Sequence, residues 1–279
     1  HNRPSYIKII SSKLGKKVMS LYFHNDPLSM DGSKSINDRK FLLKNCYKII
    51  FNSNWSKKRF LQGLENKFIN SDKLAVFYQS AKKGSTTLIP KKKKWITFVG
   101  KLNKAKGYDI FAKAIVKVLD KFPKWEAKII GDEKREKIRL NHKQADILGF
   151  RKHDDVIKIF KKTSIAVACS RWDEPFGRTS LEASANGCAV IITNKGGLPE
   201  TVTNAKIIND LSVKNLEKNI NDLIQNNNLR KKLQYLSVKN FSLTHDYVTK
   251  LIDKYRSDKL LLVKRFNTKK IVKSLRILH

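Results

Sequence analysis

The chain has 279 residues, more than the roughly 100 to 200 residues of a typical single domain, so two domains with a sizeable core are expected. Lys and Arg number 59 against 24 Asp and Glu, which gives a formal net charge of +35. Such a field attracts anionic membranes, phosphorylated substrates or nucleic acid, but compositional drift towards Lys, Asn and Ile would also produce it. Because neither aromatic RNP strands nor paired Cys and His ligands accompany the charge, we expect no specific nucleic-acid partner.

Three cysteines, Cys46, Cys169 and Cys188, are an odd number at wide spacing and form no CxxC pair. This usage argues against a disulfide framework and a zinc site, and it favours a reducing compartment. No apolar run approaches the roughly 18 residues needed to span a bilayer, and no signal peptide is recognisable. We therefore expect a cytoplasmic protein, and the charge leaves open a peripheral attachment to the inner face of the membrane.

An N-terminal domain of short elements is predicted for residues 1–80. The chain begins with His1 rather than Met, and residues 1–17 are typical of a loop and helix inside a fold, so we expect this domain to be incomplete. Strand and helix patterns then alternate. The predicted strands are 17–23, 47–53 and 73–78, and the predicted helices are 38–46 and 56–64.

An interdomain linker is predicted over residues 81–94. This segment contains Gly, Ser, Thr, Pro and a run of four lysines, and it follows neither the helical nor the strand period.

A second α/β domain is predicted for residues 95–240, followed by a helix and basic tail over 241–279. A helix over 108–122 places its apolar residues on one stripe and leaves Lys113, Lys117 and Lys121 outward. Strands rich in β-branched residues alternate with such helices, which indicates a parallel sheet. The predicted strands are 95–100, 127–130, 145–150, 164–170 and 188–193, and the predicted later helices are 212–227, 229–240 and 245–257.

The segment 170–200 carries the chemistry of this domain. It begins where a buried strand ends, passes a turn of Pro and Gly, and opens a helix near Thr179. A helix N-terminus at the carboxyl end of a strand has unpaired amides and a positive dipole end, which suit a phosphate. Gly177 would let that ligand approach the backbone closely.

The spacing of Glu174 and Glu182, with seven residues between them, resembles the nucleotide-sugar domain of retaining glycosyltransferases of family four. Other segments resemble motifs of the same family, so the resemblance covers nearly all of residues 95–260. They are FVGKLNKAKGYDIFAKAI (98–115), IIGDE (129–133), LGF (148–150) and NKGGLPE (194–200). The resemblance implies an α/β protein of the GT-B fold, in which two Rossmann-like doubly wound domains face a cleft that holds the ligands.

The resemblance also implies roles for individual residues. Glu174 would act near the donor sugar hydroxyls as a catalytic residue, and Glu182 would accept hydrogen bonds from the ribose hydroxyls. Lys101 and Lys106 would neutralise the diphosphate as the sugar–phosphate bond breaks, without a metal ion or a cofactor other than the nucleotide-sugar co-substrate. The donor site would be completed by backbone of Phe176, Gly177, Arg178, Gly196 and Gly197.

Each of these residues also has a purely structural interpretation. The sequence TSLE from Thr179 to Glu182 fits a capping box, in which the Glu only caps its own helix. The two lysines are surface groups in a lysine-rich chain, and the two glycines mark a turn. For the acceptor side, His1 is the candidate catalytic histidine, since HNRP resembles a family segment near the donor sugar, and His24 in HNDP is the second candidate.

By resemblance, the expected function is transfer of a sugar from a nucleotide-diphosphate sugar to a glycan or glycolipid hydroxyl, with retention of anomeric configuration. An acceptor in cell-envelope or lipopolysaccharide synthesis is expected. The alternatives are a sugar-nucleotide epimerase or phosphorylase of the same fold, and a non-enzymatic, basic polyanion-binding protein. The tail 260–279 either docks on anionic lipid or packs back across the two domains.

Overall fold

Two separate parallel sheets organise the chain. The computed structural model describes residues 2–14, 19–85, 91–255 and 257, and the two sheets have three and six strands. The expected α/β class is therefore confirmed. The predicted domain limits stay a prediction, although one sheet lies in each of the two proposed domains.

The N-terminal sheet has the order β1-β2-β3 and is parallel throughout. Three phenylalanines pack together among aliphatic side chains in its core, where the rings of Phe51 and Phe60 lie 5.3 Å apart and those of Phe23 and Phe51 are stacked at 5.5 Å. The elements are α1 (Pro4–Leu14), β1 (Ser20–Phe23), α2 (Ile36–Asn45), β2 (Lys48–Phe51), α3 (Asn54–Leu61) and β3 (Leu74–Val76).

The C-terminal sheet has the order β6-β5-β4-β7-β8-β9 and is also parallel. The chain moves outward from β4 to β5 and β6, then returns to the other side of β4, so the strand order reverses between β4 and β7. Ligands of open α/β sheets bind at such a switch point. The strands are β4 (Lys93–Val99), β5 (Glu126–Ile130), β6 (Ala145–Ile147), β7 (Thr163–Ala168), β8 (Ala189–Thr193) and β9 (Ala205–Ile208).

Helices cover both faces of this sheet. They are α4 (Tyr108–Lys121), α5 (His153–Lys162), α6 (Arg178–Ala185), α7 (Val213–Gln225) and α8 (Asn227–Lys239). The apolar residues of α4 and α7 share one core cluster with β4, β5, β7 and β8, whereas α5 and α6 contribute to the cluster on the opposite face. As predicted, α4 buries one stripe and exposes Lys113, Lys117 and Lys121.

Some elements differ from their predicted extents. Strand β6 stops at Ile147 because Gly149, with a φ of 66°, turns the chain away. Strand β9 was not predicted; it lies at the sheet edge and buries only Ile208. Strand β4 begins at Lys93, inside the predicted linker. Residues 245–255 are helical, as expected.

The predicted tail segment 260–279 lies outside the described residues, so its docking stays a prediction. In the described part of the chain, no helix is both long enough and apolar enough to cross a bilayer.

Substitution of Phe111 tests the packing of α4 on the sheet. Its side chain is fully buried, with its ring 5.0 Å from that of Phe98. Replacement by Ala leaves a cavity, so we expect Phe111→Ala to lower the free energy of unfolding by about 3 to 5 kcal/mol in denaturant titration. The control is Phe150→Ala, at a side chain that is 75% exposed, with an expected change within about 0.5 kcal/mol. Equal losses in the two variants would contradict this packing.

Candidate functional site

A cavity of about 220 Å³ lies at the carboxyl edge of the larger sheet, at the switch point between β4 and β7. The strand ends form its floor, and the start of α6 forms one wall. The residues that line it are Phe98, Val99, Gly100, Lys106, Ala168, Ser170, Glu174, Gly177, Arg178, Thr179 and Leu198.

Helix α6 begins at this cavity. Gly177 is its N-cap residue in a left-handed conformation, and no side chain caps the helix. The amides of the first turn therefore face the cavity without an intrahelical partner, which makes this end an anion site. The Thr179 hydroxyl donates instead to the Val99 carbonyl at 3.4 Å, which ties the helix start to the end of β4. The capping-box interpretation is thus wrong, since the helix starts one residue before Thr179.

Lys106 and Glu174 form an ion pair in the cavity. Both side chains are partly shielded, with 35% of the lysine and 12% of the glutamate exposed. The loop that carries the lysine is fixed by its own backbone, because the Lys106 amide donates to Asn103 Oδ1 at 3.0 Å. The pair places one cation and one anion side by side where a charged ligand would enter.

The lysine loop packs closely against the segment that follows β7. Gly107 has a φ of 71°, and a Cβ at this position would overlap the Cys169 carbonyl oxygen. The amides of Arg171 and Trp172 both donate to the Ala105 carbonyl, at 3.0 and 3.1 Å. Only glycine at position 107 allows this approach, which brings the lysine to the glutamate.

An ion pair at the rim reinforces the same contact. The Arg171 guanidinium donates two hydrogen bonds to the Asp109 carboxylate, at 2.5 and 2.7 Å. Burial alone would raise the pKa of Asp109, but the hydrogen bonds and charge of Arg171 hold that pKa below its ordinary value. The start of α4 is thereby joined to the 170–174 segment.

Glu182 is buried one turn into α6 and has two cationic or polar neighbours. Its Oε1 accepts hydrogen bonds from Arg178, at 2.7 Å from Nη2 and 3.2 Å from Nε. The same oxygen lies 3.0 Å from His153 Nε2, at the first residue of α5. His153 was not predicted as a site residue from the sequence. The only sequence signal for such a role is its position three residues after the LGF segment.

The loop of Gly196 and Gly197 packs against the backbone of Glu174. The Gly197 amide donates to the Glu174 carbonyl at 2.6 Å. A Cβ on Gly196, whose φ is 60°, would lie 2.5 Å from the Glu174 backbone nitrogen. Both glycines therefore act on the backbone of the carboxylate segment and do not line the cavity.

Three of the remaining candidates, Phe176, Lys101 and His24, are not among the residues that line this cavity. Phe176 is buried, with its ring 5.9 Å from that of Tyr78. Lys101 is exposed and is not among the lining residues. His24 follows β1 of the smaller sheet and packs against Tyr22, with tilted rings whose centroids lie 4.2 Å apart. His1 lies outside the described residues, and its role stays a prediction.

Within residues 2–14, 19–85, 91–255 and 257, no group of three or more His, Cys, Asp or Glu side chains is arranged to hold a metal ion.

The family of this chain follows from the region that contains the larger sheet. Residues 80–238, more than half of the chain, match the family model described as "Glycosyl transferases group 1". The chain belongs to this family. The assignment agrees with the resemblance given by Glu174, Glu182 and the surrounding segments, all of which lie in the matched region.

Curated relatives in the family match part of the chain. Spore coat protein SA of Bacillus subtilis is 31% identical over 158 residues, which is 50% of this chain and 42% of that protein. The lipopolysaccharide core biosynthesis mannosyltransferase LpsB of Rhizobium meliloti is 30% identical over 121 residues, 40% of this chain and 34% of that protein. The aligned regions thus span less than half the length of these relatives.

Solved structures extend the likeness to both sheets. HepE of Anabaena, solved in complex with UDP and glucose, has a TM-score of 0.71 at 19% identity and covers 92% of this chain and 76% of its own. A glycosyltransferase from Rickettsia africae has a TM-score of 0.68 at 20% identity, with 90% of this chain and 73% of its own covered. At these identities the likeness shows the fold, and the expected GT-B architecture is confirmed.

Substitution of Gly196 tests the close packing of its loop against the Glu174 backbone. Both Gly196 and Gly149 have φ values near 60°, but nothing lies within 4 Å of a Cβ at Gly149. We expect Gly149→Ala to cost about 1 to 2 kcal/mol of unfolding free energy, the penalty of a left-handed alanine. Gly196→Ala adds a backbone clash and should cost more in the same denaturant titration. Equal costs would show that the close approach to Glu174 is not required.

Proposed function

We propose that this chain transfers a glycosyl group from a nucleotide-diphosphate sugar to an acceptor hydroxyl, with retention of anomeric configuration. The observation that supports it best is the meeting of Lys106 and Glu174 with the uncapped start of α6 in one cavity. Membership of the glycosyl transferases group 1 family supports the same reaction.

The diphosphate would lie at the start of α6. The first-turn amides there, together with Lys106 and Arg178, place positive charge around the cavity. Negative charge grows on the leaving diphosphate as the glycosidic bond breaks, and fixed positive charge in a shielded site stabilises that transition state. We therefore propose catalysis by these groups without a metal ion and without any cofactor beyond the donor itself.

The two carboxylates would bind different parts of the donor. Glu174, paired with the lysine beside the diphosphate site, would face the sugar hydroxyls. Glu182 receives its protein hydrogen bonds on Oε1, and within the described ranges no donor is bonded to Oε2. That second oxygen would accept the ribose hydroxyls.

The acceptor hydroxyl would attack from the face that the diphosphate leaves, and an oxygen of the leaving phosphate would take its proton. The transition state would carry oxocarbenium character. His24 or His1 would assist from the N-terminal domain. A glycan or glycolipid acceptor of the cell envelope is supported by the printed names of relatives such as LpsB. A cytoplasmic site of action at an anionic membrane surface is supported by the net charge of +35.

Removal of the cavity lysine tests donor binding. A charge-assisted contact contributes about 1.5 to 3 kcal/mol, so Lys106→Ala should raise the Kd for UDP or GDP by about 10-fold or more in isothermal titration calorimetry. Lys113→Ala removes the same charge from an exposed position on α4 and should leave the Kd unchanged. Equal effects in both variants would mean that the nucleotide responds only to overall charge, as a simple polyanion-binding protein would.

Isosteric carboxylate variants test the division of roles. With a panel of UDP, GDP and ADP sugars, we expect Glu174→Gln to lower kcat for nucleotide release with little change in donor KM. Glu182→Gln should mainly raise donor KM, because it weakens binding to the ribose. The control is Glu217→Gln on α7, whose carboxylate forms a long ion pair with Lys117 at 3.9 Å. An unchanged kcat in Glu174→Gln together with an unchanged donor KM in Glu182→Gln would refute the assignment.

A further inference from the structure

The start of helix α3, in the N-terminal domain, docks on the donor-site segment of the C-terminal domain. The carboxylate of Glu200 accepts two backbone hydrogen bonds there, from the Asn54 amide at 2.7 Å and the Trp55 amide at 2.8 Å. Each oxygen takes one amide, so the glutamate serves as a cap for a helix 145 residues away in sequence. A negative charge at this position is stabilised by the positive end of the helix dipole.

A second set of bonds joins the same helix turn to the residue after Glu174. The hydroxyls of Ser53 and Ser56 both donate to the Pro175 carbonyl, at 2.5 and 3.3 Å. The close approach depends on the glycine loop, since a Cβ on Gly197 would lie 3.1 Å from Ser53 Cβ. The helix start therefore contacts both segments that shape the backbone around the catalytic carboxylate.

Further contacts lead from Glu200 into the cavity. Leu198 lines the cavity two residues before this glutamate, and the next residue, Thr201, has its hydroxyl 2.7 Å from that of Ser180 in α6. On the other side, Tyr78 accepts a hydrogen bond from Asn54 at 2.5 Å and packs on Phe176. Burial, and to a lesser degree the negative charge of Glu200, raise the pKa of Tyr78 to about 12, so its hydroxyl stays neutral and available for hydrogen bonding.

We infer that Glu200 is a positioning residue that couples docking of the N-terminal domain to the shape of the donor site. This inference rests on the proposed function, in which Glu174 and the start of α6 bind a nucleotide sugar. The cap holds the 198–201 turn against α3, and the serine bonds hold Pro175 on the same helix end. Donor binding and docking of α3 are thereby linked, so each stabilises the other.

The experiment uses the whole chain with UDP and GDP as probes. We expect the better-binding nucleotide to slow amide hydrogen exchange at Asn54 and Trp55, which lie in the other domain. In Glu200→Ala this protection should be lost, and the Kd measured by calorimetry should rise about 5- to 20-fold, within the usual range of coupling between sites. Glu200→Gln keeps the shape and one acceptor oxygen, so it should give an intermediate Kd.

Glu217→Gln is the matched control, with unchanged Kd and unchanged exchange at α3. If Glu200→Ala fails to fold, Glu200→Gln decides, with circular dichroism and thermal unfolding to confirm its native structure. Nucleotide protection of the α3 amides that persists in the folded variants, with a Kd within about 2-fold of wild type, would overturn the coupling alone. Failure of wild type to bind either nucleotide would instead overturn the proposed function.

Discussion

Close backbone packing at the carboxyl edge of the six-stranded sheet is the constraint on which the site depends. The loop after β4 reaches the segment after β7 because Gly107 can lie against the Cys169 carbonyl. The loop after β8 reaches the same segment because Gly196 can lie against the Glu174 backbone. Any side chain at either position would separate these segments. The functional side chains lie close together because the loops after β4, β7 and β8 pack against one another. The strand order places all three loops at the switch point of the sheet.

The same packing brings the charged side chains of the site into pairs. Within the cavity, Lys106 is balanced by Glu174. Glu182 is buried in α6 beyond the cavity lining, where it is balanced by Arg178 and bonded to His153. A shielded carboxylate without such partners would be costly, so these pairs offset the cost of burying the two carboxylates. Binding of a diphosphate would compete for the same cations. The overall charge of +35 would draw the anion towards the protein, while the local pairs would determine where it binds.

Much of the larger domain could be predicted from local patterns. Helix α4 and the buried strands β7 and β8 have strong periodic or apolar signals, whereas β9 buries a single residue at the sheet edge and gives almost none. The carboxylates Glu174 and Glu182 were singled out because their spacing resembles that of the family, and their roles stay a prediction. His153 and Glu200 were not assigned roles because their partners lie 29 and 145 or 146 residues away. The difference between Lys101 and Lys106 depends on the turn of one loop, which composition does not reveal.

A crystal structure of the whole chain with bound UDP tests the central claim most directly. We expect the diphosphate oxygens to lie within hydrogen-bonding distance of the first amides of α6 and of the Lys106 ammonium. The ribose hydroxyls should donate hydrogen bonds to the Glu182 carboxylate. The lysine would then divide its contacts between Glu174 and the phosphate. A nucleotide bound elsewhere on the basic surface, with the Lys106–Glu174 ion pair unchanged, would contradict this placement.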